Sequence, residues 1–384
     1  MLSPGSRFAD RKCMAMAGVV TRFDREFNVG PTGACTTAMM SDPGEIWMFV
    51  GGSGAPSVKY SQEEGGALMR VLVTGGLGNV GSFTMRELLQ RGCSVRCLDL
   101  PSRGNLRTAS RWGTSVEFIW GDIRNPADVD QAVDATDVIV HLASIIPPLA
   151  HEDPTLAESV NVDGTRQVFA AAARQPVTPR VLFASSFDVY GPTTHLSPPR
   201  VVSDPLIPTD NYSQHKIEGE RELTTSGLTW AIYRFADMPI LGRRPPHPMM
   251  FEIPLNTRME VLHPADAAVA IAEGVTGTAI WNEIWLIGGG PTCQVTYAQY
   301  LQRMLSAMGL PMLPEAAFTT HPYCTDWLDT RASQDVLHFQ RHTFDQIVQE
   351  VADNAGFVRH VAPLVARMVT RRLLRLSPYY PPEV

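Results

Sequence analysis

Short apolar runs alternate with amphipathic segments along the chain from Met69 onward. The runs have the length and β-rich composition of buried strands, and the segments between them have helical periodicity. Strands that alternate with helices form right-handed βαβ units, so the pattern predicts an α/β fold with a parallel, doubly wound sheet. The predicted strands are Arg70–Thr74, Ser94–Leu98, Val116–Ile119, Asp137–His141, Arg180–Ala184 and Thr229–Tyr233. The predicted helices between them include Val80–Arg91, Asp128–Val133, Ser159–Arg174 and Asn211–Thr225.

The pattern changes toward both ends of the chain. Residues 1–68 mix Met, Gly, Ser and Pro without a sustained period, which predicts a poorly ordered extension or a start codon assigned upstream of a protein that begins at Met69. The sheet domain is expected to span residues 69–236. Residues 237–355 are predicted to form a smaller substrate-binding lobe over the carboxyl edge of the sheet, partly interleaved with the sheet domain. Its predicted helices lie near Pro264–Val275, Thr296–Gly309 and Thr343–Asp353.

The last segment, residues 356–384, is basic and partly amphipathic. This composition favours a helix packed on the small lobe or on a partner subunit. Attachment to a membrane surface is the alternative.

Composition limits the classes of function. The chain has 384 residues, 44% of them hydrophobic, and a net charge of −7, which argues against nucleic acid as the main partner. Its six cysteines have no metal-ligand spacing, so no metal site is predicted, and free thiols fit a reducing cytoplasm. No apolar run approaches the ~20 residues of a transmembrane helix, and the N-terminus lacks a leader pattern. We therefore expect a soluble cytoplasmic protein.

A glycine-rich loop follows the first predicted strand and opens the first helix. Gly75, Gly78 and Gly81, with Asn79 and Val80 between them, allow a tight turn and the close approach of backbone to a phosphate. The free N–H groups of a helix N-terminus favour a pyrophosphate at this place. The loop therefore predicts a dinucleotide site.

The choice of dinucleotide depends on the residues after the second and third strands. Asp99 ends the second strand, at the distance along the chain where a carboxylate binds ribose hydroxyls and repels a 2′-phosphate. This predicts NAD, while Arg103 nearby leaves NADP open. Asp122 and Ile123 are expected to hold the adenine edge, although a helix-capping role for Asp122 is the alternative.

A tyrosine and a lysine are placed for acid–base chemistry on one helix. Tyr212 and Lys216 are four residues apart and share a face. Lys216 is the last of only three lysines in a chain whose other basic residues are arginines. A nearby ammonium and a positively charged nicotinamide would lower the pKa of the tyrosine, which is ordinarily ~10. Ser186, after the fifth predicted strand, is expected to donate a hydrogen bond to the substrate oxygen, unless it only caps a turn.

From Met69 to about residue 352, the chain resembles the extended short-chain dehydrogenase/reductases, the NAD-dependent epimerase/dehydratase family. The resemblance rests on GGLGNVG at 75–81, Asp99, GDI at 121–123, HLAS at 141–144, NVDGT at 161–165, SSFDVYG at 185–191, YSQHK at 212–216, YRF at 233–235, HPADAAVAI at 263–271 and EIWLIGGG at 283–290. It implies a Rossmann-type fold, with Ser186, Tyr212 and Lys216 as the catalytic residues. Leu142 and Ala143 would line the cofactor groove, and Asn161 would be a structural asparagine of the helix. The resemblance also implies a homodimer that pairs through the Tyr212–Lys216 helix and the helix before it.

The chain departs from the family pattern where the substrate would bind. Phe187 and Asp188 replace the Asp-Glu pair of the dehydratases, and Asp237 replaces a common asparagine. Asp188, Asp237 and Arg258 are the predicted substrate ligands, and Arg243 and Arg244 could also bind an anionic group. We predict an NAD-dependent oxidoreductase that acts on a hydroxyl or carbonyl of a small sugar-like substrate. A nucleotide-sugar 4-epimerase is the first alternative, and a non-catalytic dinucleotide sensor or scaffold is the second.

Overall fold

The chain divides into two compact units, Met1–Ala67 and Leu68–Val384, in the computed structural model. The structure describes residues 36–40, 45–50, 60–61, 68–241 and 245–380. The first unit contains an antiparallel sheet in the order β1-β2-β3, with β1 at Thr36–Met40, β2 at Glu45–Val50 and β3 at Tyr60–Ser61. The apolar–polar pattern predicted none of these strands. The rest of the predicted extension, apart from Leu68, lies outside the described residues.

The second unit is built on a seven-stranded parallel sheet. The strands described in this unit are β4 Arg70–Thr74, β5 Ser94–Asp99, β6 Val116–Trp120, β7 Val138–His141, β8 Arg180–Ser186, β9 Trp230–Phe235, β10 Arg258–Glu260, β11 Glu283–Ile287 and β12 Gln294–Thr296. The order across the large sheet is β6-β5-β4-β7-β8-β9-β11, with every neighbouring pair parallel. The predicted doubly wound parallel sheet is therefore confirmed.

Helices cover both faces of this sheet and form most of the small lobe. They are α1 Gly81–Gln90, α2 Arg103–Ala109, α3 Pro126–Val133, α4 Leu149–Glu152, α5 Pro154–Glu158, α6 Thr165–Ala173, α7 Asn211–Thr225, α8 Pro264–Thr276, α9 Tyr297–Ala307, α10 Arg331–Leu337, α11 Phe344–Ala355, α12 Val358–Val361 and α13 Ala366–Leu374. A π-helical turn at Ser159–Gly164 leads into α6. Short 3-10 turns lie at Phe187–Tyr190, Pro248–Phe251, Pro291–Cys293, Glu315–Ala317 and Ala362–Val365.

The core lies on both faces of the large sheet, as β4 illustrates. Successive side chains of a strand point to opposite faces. Val71 and Val73 of β4 are buried in one cluster with Met85 and Leu88 of α1. Leu72 between them is buried in the other cluster, which covers the opposite face. Burial on both faces explains why these strands read as continuous apolar runs.

The carboxyl half of the chain returns to the large sheet before it completes the small lobe. Strand β11 pairs with β9 at the edge of the sheet, and its residues Leu286 and Ile287 join the same core cluster as Val71. The antiparallel pair β10 and β12 belongs to the small lobe. In the small lobe, α9 contributes Leu301 and Leu305 to a separate core, and Leu373 of α13 packs into it. Among the described residues, no helix combines the length and apolarity needed to traverse a bilayer.

The order of strands determines where a ligand can bind. Strands β4 and β7 are neighbours, yet the chain continues from them in opposite directions across the sheet: β4 is followed by β5 on one side, and β7 by β8 on the other. A crevice opens at the carboxyl ends of two strands where the order reverses in this way.

Candidate active site

A cavity of about 670 Å³ opens at this point of the sheet. It is one continuous space that extends from the loop after β4 to the inner face of α7 and to the small lobe. It brings together all but one of the predicted site residues. These are Gly75, Gly78, Asn79, Val80, Gly81, Asp99, Asp122, Ile123, Leu142, Ala143, Ser186, Asp188, Tyr212, Lys216 and Asp237.

The loop between β4 and α1 requires its glycines for steric reasons. Gly75 has a φ of +70°, and a Cβ there would lie 2.9 Å from the Cα of Ala143. A Cβ at Gly81 would lie 2.6 Å from the Cα of Gly76. The helix that follows has no side-chain cap and no acidic residue in its first turn. Its N-terminal N–H groups are thus near the cavity without a competing carboxylate, as an anion site requires.

Asp99 lies at the end of β5, and neighbouring donors hold its carboxylate in place. Its Oδ2 accepts the N–H of Leu77 at 2.9 Å, and its Oδ1 accepts the N–H of Leu100 at 2.8 Å and Nδ2 of Asn105 at 2.9 Å. Burial raises the pKa of Asp99, and the two backbone donors oppose that shift. The sequence did not point to Asn105, which also lines the cavity. Arg103 is absent from the described lining residues.

Asp122 and Ile123 follow β6 and have different environments. The Asp122 carboxylate pairs with Arg124, whose Nη2 lies 2.6 Å from Oδ2, and this pair lowers the pKa of Asp122. Asp128 accepts the Asp122 N–H at 2.8 Å. Ile123 packs against Gly164: a Cβ at Gly164 would lie 2.7 Å from Cδ1 of Ile123. Asp122 is therefore held toward the surface, while Ile123 contributes to the wall of the cavity.

Helix α7 presents Tyr212 and Lys216 to the cavity. The helix begins at a capping box in which Asp210 and Ser213 bond to each other's backbone N–H. Lys216 is 5% exposed, and its Nζ donates to the carbonyl of Ala184 at 2.8 Å. The same Nζ lies 5.5 Å from the centroid of the Tyr212 ring. Burial lowers the pKa of Lys216 to about 8, although the charges of Glu220 and Asp188 oppose the shift.

Tyr212 differs from the sequence expectation in its ionisation. Burial raises the pKa of Tyr212, and the charge of Asp188 raises it further, while a hydrogen bond with Ser186 acts in the opposite direction. The expected lowering includes the charge of a bound nicotinamide, whereas these shifts belong to the chain alone, in which burial and the carboxylate prevail. Ser186 is at the end of β8, where its Oγ also accepts the N–H of Asp188 at 3.3 Å.

Two half-buried carboxyl groups, those of Asp188 and Asp237, face the small-lobe end of the cavity. Burial raises the pKa of Asp188, and the charges of Asp237 and Asp210 add to this. Burial raises the pKa of Asp237 to about 7, although Oγ1 of Thr325 donates to its Oδ2 at 2.7 Å. The wall around them is largely apolar and includes Ile145, Ile146, Pro147, Phe187, Met238, Ile240, Met249 and Tyr323.

Arg258 is the one predicted site residue that does not line the cavity. Its Nε and Nη2 lie 2.6 and 2.9 Å from the two carboxylate oxygens of Asp326. Its remaining donors bond to carbonyls, including that of Leu196 at 2.8 Å. Through these contacts Arg258 ties β10 to the loop after β8, and its role as a substrate ligand stays a prediction. Arg243 and Arg244 lie outside the described residues.

Two residues support the site from outside the cavity. Asn161, in the π-helical turn, accepts the N–H of Ile145 at 2.7 Å and donates to the Ile145 carbonyl at 2.8 Å, which fixes the loop after β7. Glu220 pairs with Arg234 of β9, with Nη2 to Oε2 at 2.6 Å, and accepts Oγ of Ser185 at 2.5 Å. The sequence did not assign Glu220, although its position four residues after Lys216 was an available signal.

The HPADAAVAI block also has a structural role that the sequence did not define. Asp266 of α8 accepts the N–H groups of Arg341 and His342, both at 3.0 Å, and its Oδ1 lies 2.5 Å from Nδ1 of His342. The rings of His263 and His342 are stacked, with centroids 3.9 Å apart and an interplanar angle of 13°. One nitrogen or oxygen atom from each of His263, Asp266 and His342 lies within 4.8 Å of the other two, and the hydrogen bonds of Asp266 tie α8 to the segment before α11.

Comparisons with known proteins agree with this geometry. Residues 71–236 match the model of the NAD dependent epimerase/dehydratase family. A D-erythronate dehydrogenase from Cupriavidus necator is 32% identical over 194 residues, which cover 47% of this chain and 57% of that protein. A UDP-glucose 4-epimerase from Klebsiella pneumoniae is 36% identical over 141 residues, 32% of this chain and 93% of that protein. The chain thus spans about half the length of the Cupriavidus relative.

The fold is similar to that of solved structures. The UDP-glucose 4-epimerase from Thermus thermophilus, in complex with NAD, superposes with a TM-score of 0.63 and 23% sequence identity. The match covers 75% of this chain and 99% of that one. At this identity, the likeness concerns the fold alone.

Proposed function

This chain belongs to the NAD dependent epimerase/dehydratase family, and from this premise we propose that it is an NAD-dependent oxidoreductase. It would move a hydride between the cofactor and a carbon that bears a hydroxyl or carbonyl in a small sugar-like substrate. One observation carries the proposal: a single cavity joins the glycine loop after β4 to Ser186, Tyr212 and Lys216. A cofactor held at the glycine loop would therefore extend through the cavity to Tyr212, the proposed acid–base group.

The lining residues fit a bound NAD. The uncapped N-terminus of α1 would hold the pyrophosphate, and the glycines leave the room it needs. Asp99 would accept hydrogen bonds from the adenosine ribose, while its negative charge would disfavour a 2′-phosphate. Ile123 would contact the adenine. Leu142 and Ala143 would form the floor beneath the middle of the dinucleotide.

Three side chains would handle the proton. The bound nicotinamide supplies the hydride acceptor or donor. Tyr212 would take the proton from the substrate hydroxyl, and Ser186 would donate a hydrogen bond to the same oxygen. Lys216, already hydrogen-bonded to the Ala184 carbonyl, would direct its remaining N–H groups to the cofactor ribose and favour the phenolate of Tyr212.

Asp188 and Asp237 support an uncharged, hydroxyl-bearing substrate. Their raised pKa values favour the protonated carboxyl, which can both donate and accept hydrogen bonds. Among the described lining residues, Arg124 and Lys216 are the positively charged ones.

A nucleotide-sugar 4-epimerase is the second candidate. It is favoured by the similarity to the Klebsiella pneumoniae UDP-glucose 4-epimerase, of which this chain covers 93%. A non-catalytic sensor is disfavoured because the chain keeps both Tyr212 and Lys216.

The deciding experiment is a substrate panel of free polyols, free sugars and nucleotide sugars with added NAD. Growth of NADH absorbance with an uncharged hydroxyl compound supports the oxidoreductase. Interconversion of a nucleotide sugar, without accumulation of NADH, identifies the epimerase. Tightly bound NAD with no turnover on any compound would support the sensor instead.

The compartment and assembly are also part of the proposal. Cys93, Cys97, Cys293 and Cys324 are free and buried, which suits a reducing cytoplasm. A homodimer through α6 and α7 is supported by the family resemblance. The exposed sides of these helices carry Arg166, which pairs with Glu218 at 3.0 Å and Glu222 at 2.7 Å. Such an interface would be polar, so its stability would fall with salt.

A further inference from the structure

The end of the chain carries a row of exposed apolar side chains. Phe357, Val361, Leu364, Val365 and Met368 follow one another at intervals of three and four residues, with Leu364 immediately before Val365. This is the sequence spacing of one helical face, and in the structure it runs from Phe357 through α12 and the 3-10 turn at Ala362–Val365 into α13. Phe357 is 79% exposed, Leu364 84% and Met368 66%. We call residues 357–375 the C-terminal segment.

The opposite side of the C-terminal segment is already packed. Leu373 is buried in the core of the small lobe, and Val369 and Leu374 pack against the same core. Ala362 is also buried, close to Gly309 at the end of α9. The segment is therefore anchored to the protein by one face, so the exposed row needs an explanation of its own. A soluble surface rarely keeps such contiguous apolar groups without a partner.

Charge identifies the kind of partner. The C-terminal segment contains five arginines, Arg359, Arg367, Arg371, Arg372 and Arg375, and the sequence has no acidic residue between Asp353 and Glu383. This positive charge is concentrated in a chain whose net charge is −7. Apolar side chains flanked by arginines match the boundary of an anionic bilayer, where the apolar groups enter the acyl region and the guanidinium groups remain among the head groups.

We propose that the C-terminal segment is a docking surface for an anionic lipid membrane, on which the protein lies without spanning it. A second copy of the chain fits the segment less well. A two-fold contact would place the same five arginines opposite one another, and like charges would oppose the burial of the apolar row. The inference does not depend on the proposed reaction.

Vesicle sedimentation of the full chain tests the proposal. The protein should sediment with vesicles of equal parts phosphatidylcholine and phosphatidylglycerol, and much less with vesicles of phosphatidylcholine alone. High salt should reduce the binding because it screens the arginines. The double variant Leu364→Ser with Met368→Ser should bind the vesicles at least about ten-fold more weakly, because two apolar side chains are lost from the contact. The triple variant Arg367→Gln, Arg372→Gln and Arg375→Gln should lose the preference for phosphatidylglycerol.

The control is Val177→Ser, which removes an apolar side chain that is 80% exposed elsewhere on the protein. It should bind vesicles as the wild type does. All these positions are exposed, so unchanged melting temperatures should show that the variants fold. Absence of binding to the mixed vesicles overturns the proposal. So does binding that the double variant retains, or a dimer in solution that the double variant converts to a monomer by light scattering.

Discussion

Lys216 is a buried cation in a space that suits a single small ammonium. Its Nζ lies between the Ala184 carbonyl, at 2.8 Å, and the Phe183 ring, whose centroid is 5.1 Å away. Burial favours its neutral form, and the charges of Glu220 and Asp188 partly restore the cation. A guanidinium is larger and planar, and it places its donors in a fixed fork.

We therefore expect Lys216→Arg to lower turnover by about 10²-fold or more, although the positive charge is kept. NAD affinity should also fall, because the lysine is the group proposed to reach the ribose. The contrasting variant is Tyr212→Phe, which should lower turnover by a similar factor but leave NAD affinity nearly unchanged. Steady-state rates and NAD titrations check both variants. If Lys216→Arg turned over at nearly the wild-type rate, the role proposed for this lysine would be wrong.

Burial raises the pKa of the Tyr212 phenol, and the charge of Asp188, once this carboxyl is ionised, raises it further. Alcohol oxidation needs the phenolate, so the rate should rise with pH as Tyr212 ionises. Asp188→Asn removes the charge and should move this rise to lower pH. Profiles of kcat/KM against pH test the direction of the shift. Asp237→Asn is the comparison variant: Asp237 acts on Tyr212 through Asp188, whose pKa its charge raises, so its profile should move less than that of Asp188→Asn. A shift to higher pH in Asp188→Asn would contradict the assignment.

Helix α7 is fixed to the sheet by a buried ion pair. Glu220 and Arg234 have side chains that are 6% and 3% exposed, and they form two hydrogen bonds, at 2.9 and 2.6 Å. Arg234 also donates to the Tyr190 hydroxyl at 2.7 Å. The pair thus connects α7, which carries Tyr212 and Lys216, to β9 and to the turn after β8.

Glu220→Gln should destabilise the protein by about 3–5 kcal/mol, because it leaves the buried guanidinium without a counter-charge. Urea unfolding measures this free energy. The control is Glu222→Gln on the same helix. Glu222 pairs with Arg166, whose side chain is 48% exposed. The free energy of unfolding should therefore fall by less than about 1 kcal/mol. Equal effects of the two variants would show that the buried pair has no special role.

The elements of the sheet were predictable because their signals are local. All six predicted strands occur with ends shifted by no more than two residues, since a buried parallel strand is a continuous apolar run. Helix α7 occurs at the predicted residues, Asn211–Thr225. Strand β11, Glu283–Ile287, was not predicted, because its place beside β9 depends on a long connection. The partner of Arg258 could not be predicted either, because Asp326 is 68 residues away and the pairing depends on the tertiary fold.

At the scale of the molecule, the cofactor end of the cavity comes from one continuous stretch of chain, while the substrate end is assembled from distant parts. The glycine loop, Asp99 and Asp122 follow three consecutive strands. In contrast, Asp188 faces a wall that includes Met249 and Tyr323 from the carboxyl half. This explains why the sequence identified the dinucleotide site more completely than the substrate site.

The two compact units allow a final prediction about the whole chain. Strand β4 begins two residues after Leu68 and pairs on both sides within the second unit, with β5 and β7. Its residues Val71, Leu72 and Val73 are buried in two core clusters with other residues of the second unit. A protein without residues 1–67 should therefore keep its melting temperature and its NAD affinity.

Differential scanning calorimetry and NAD titration of the shortened protein test this. The control is a chain that begins at Gly75 and so lacks β4. It should fail to fold, because β4 is an interior strand of the sheet and contributes Val71, Leu72 and Val73 to the two core clusters. A drop of many degrees on removal of residues 1–67 alone would mean that the first unit stabilises the second. In that case, the first unit would belong to the folded enzyme and could not be regarded as an extension.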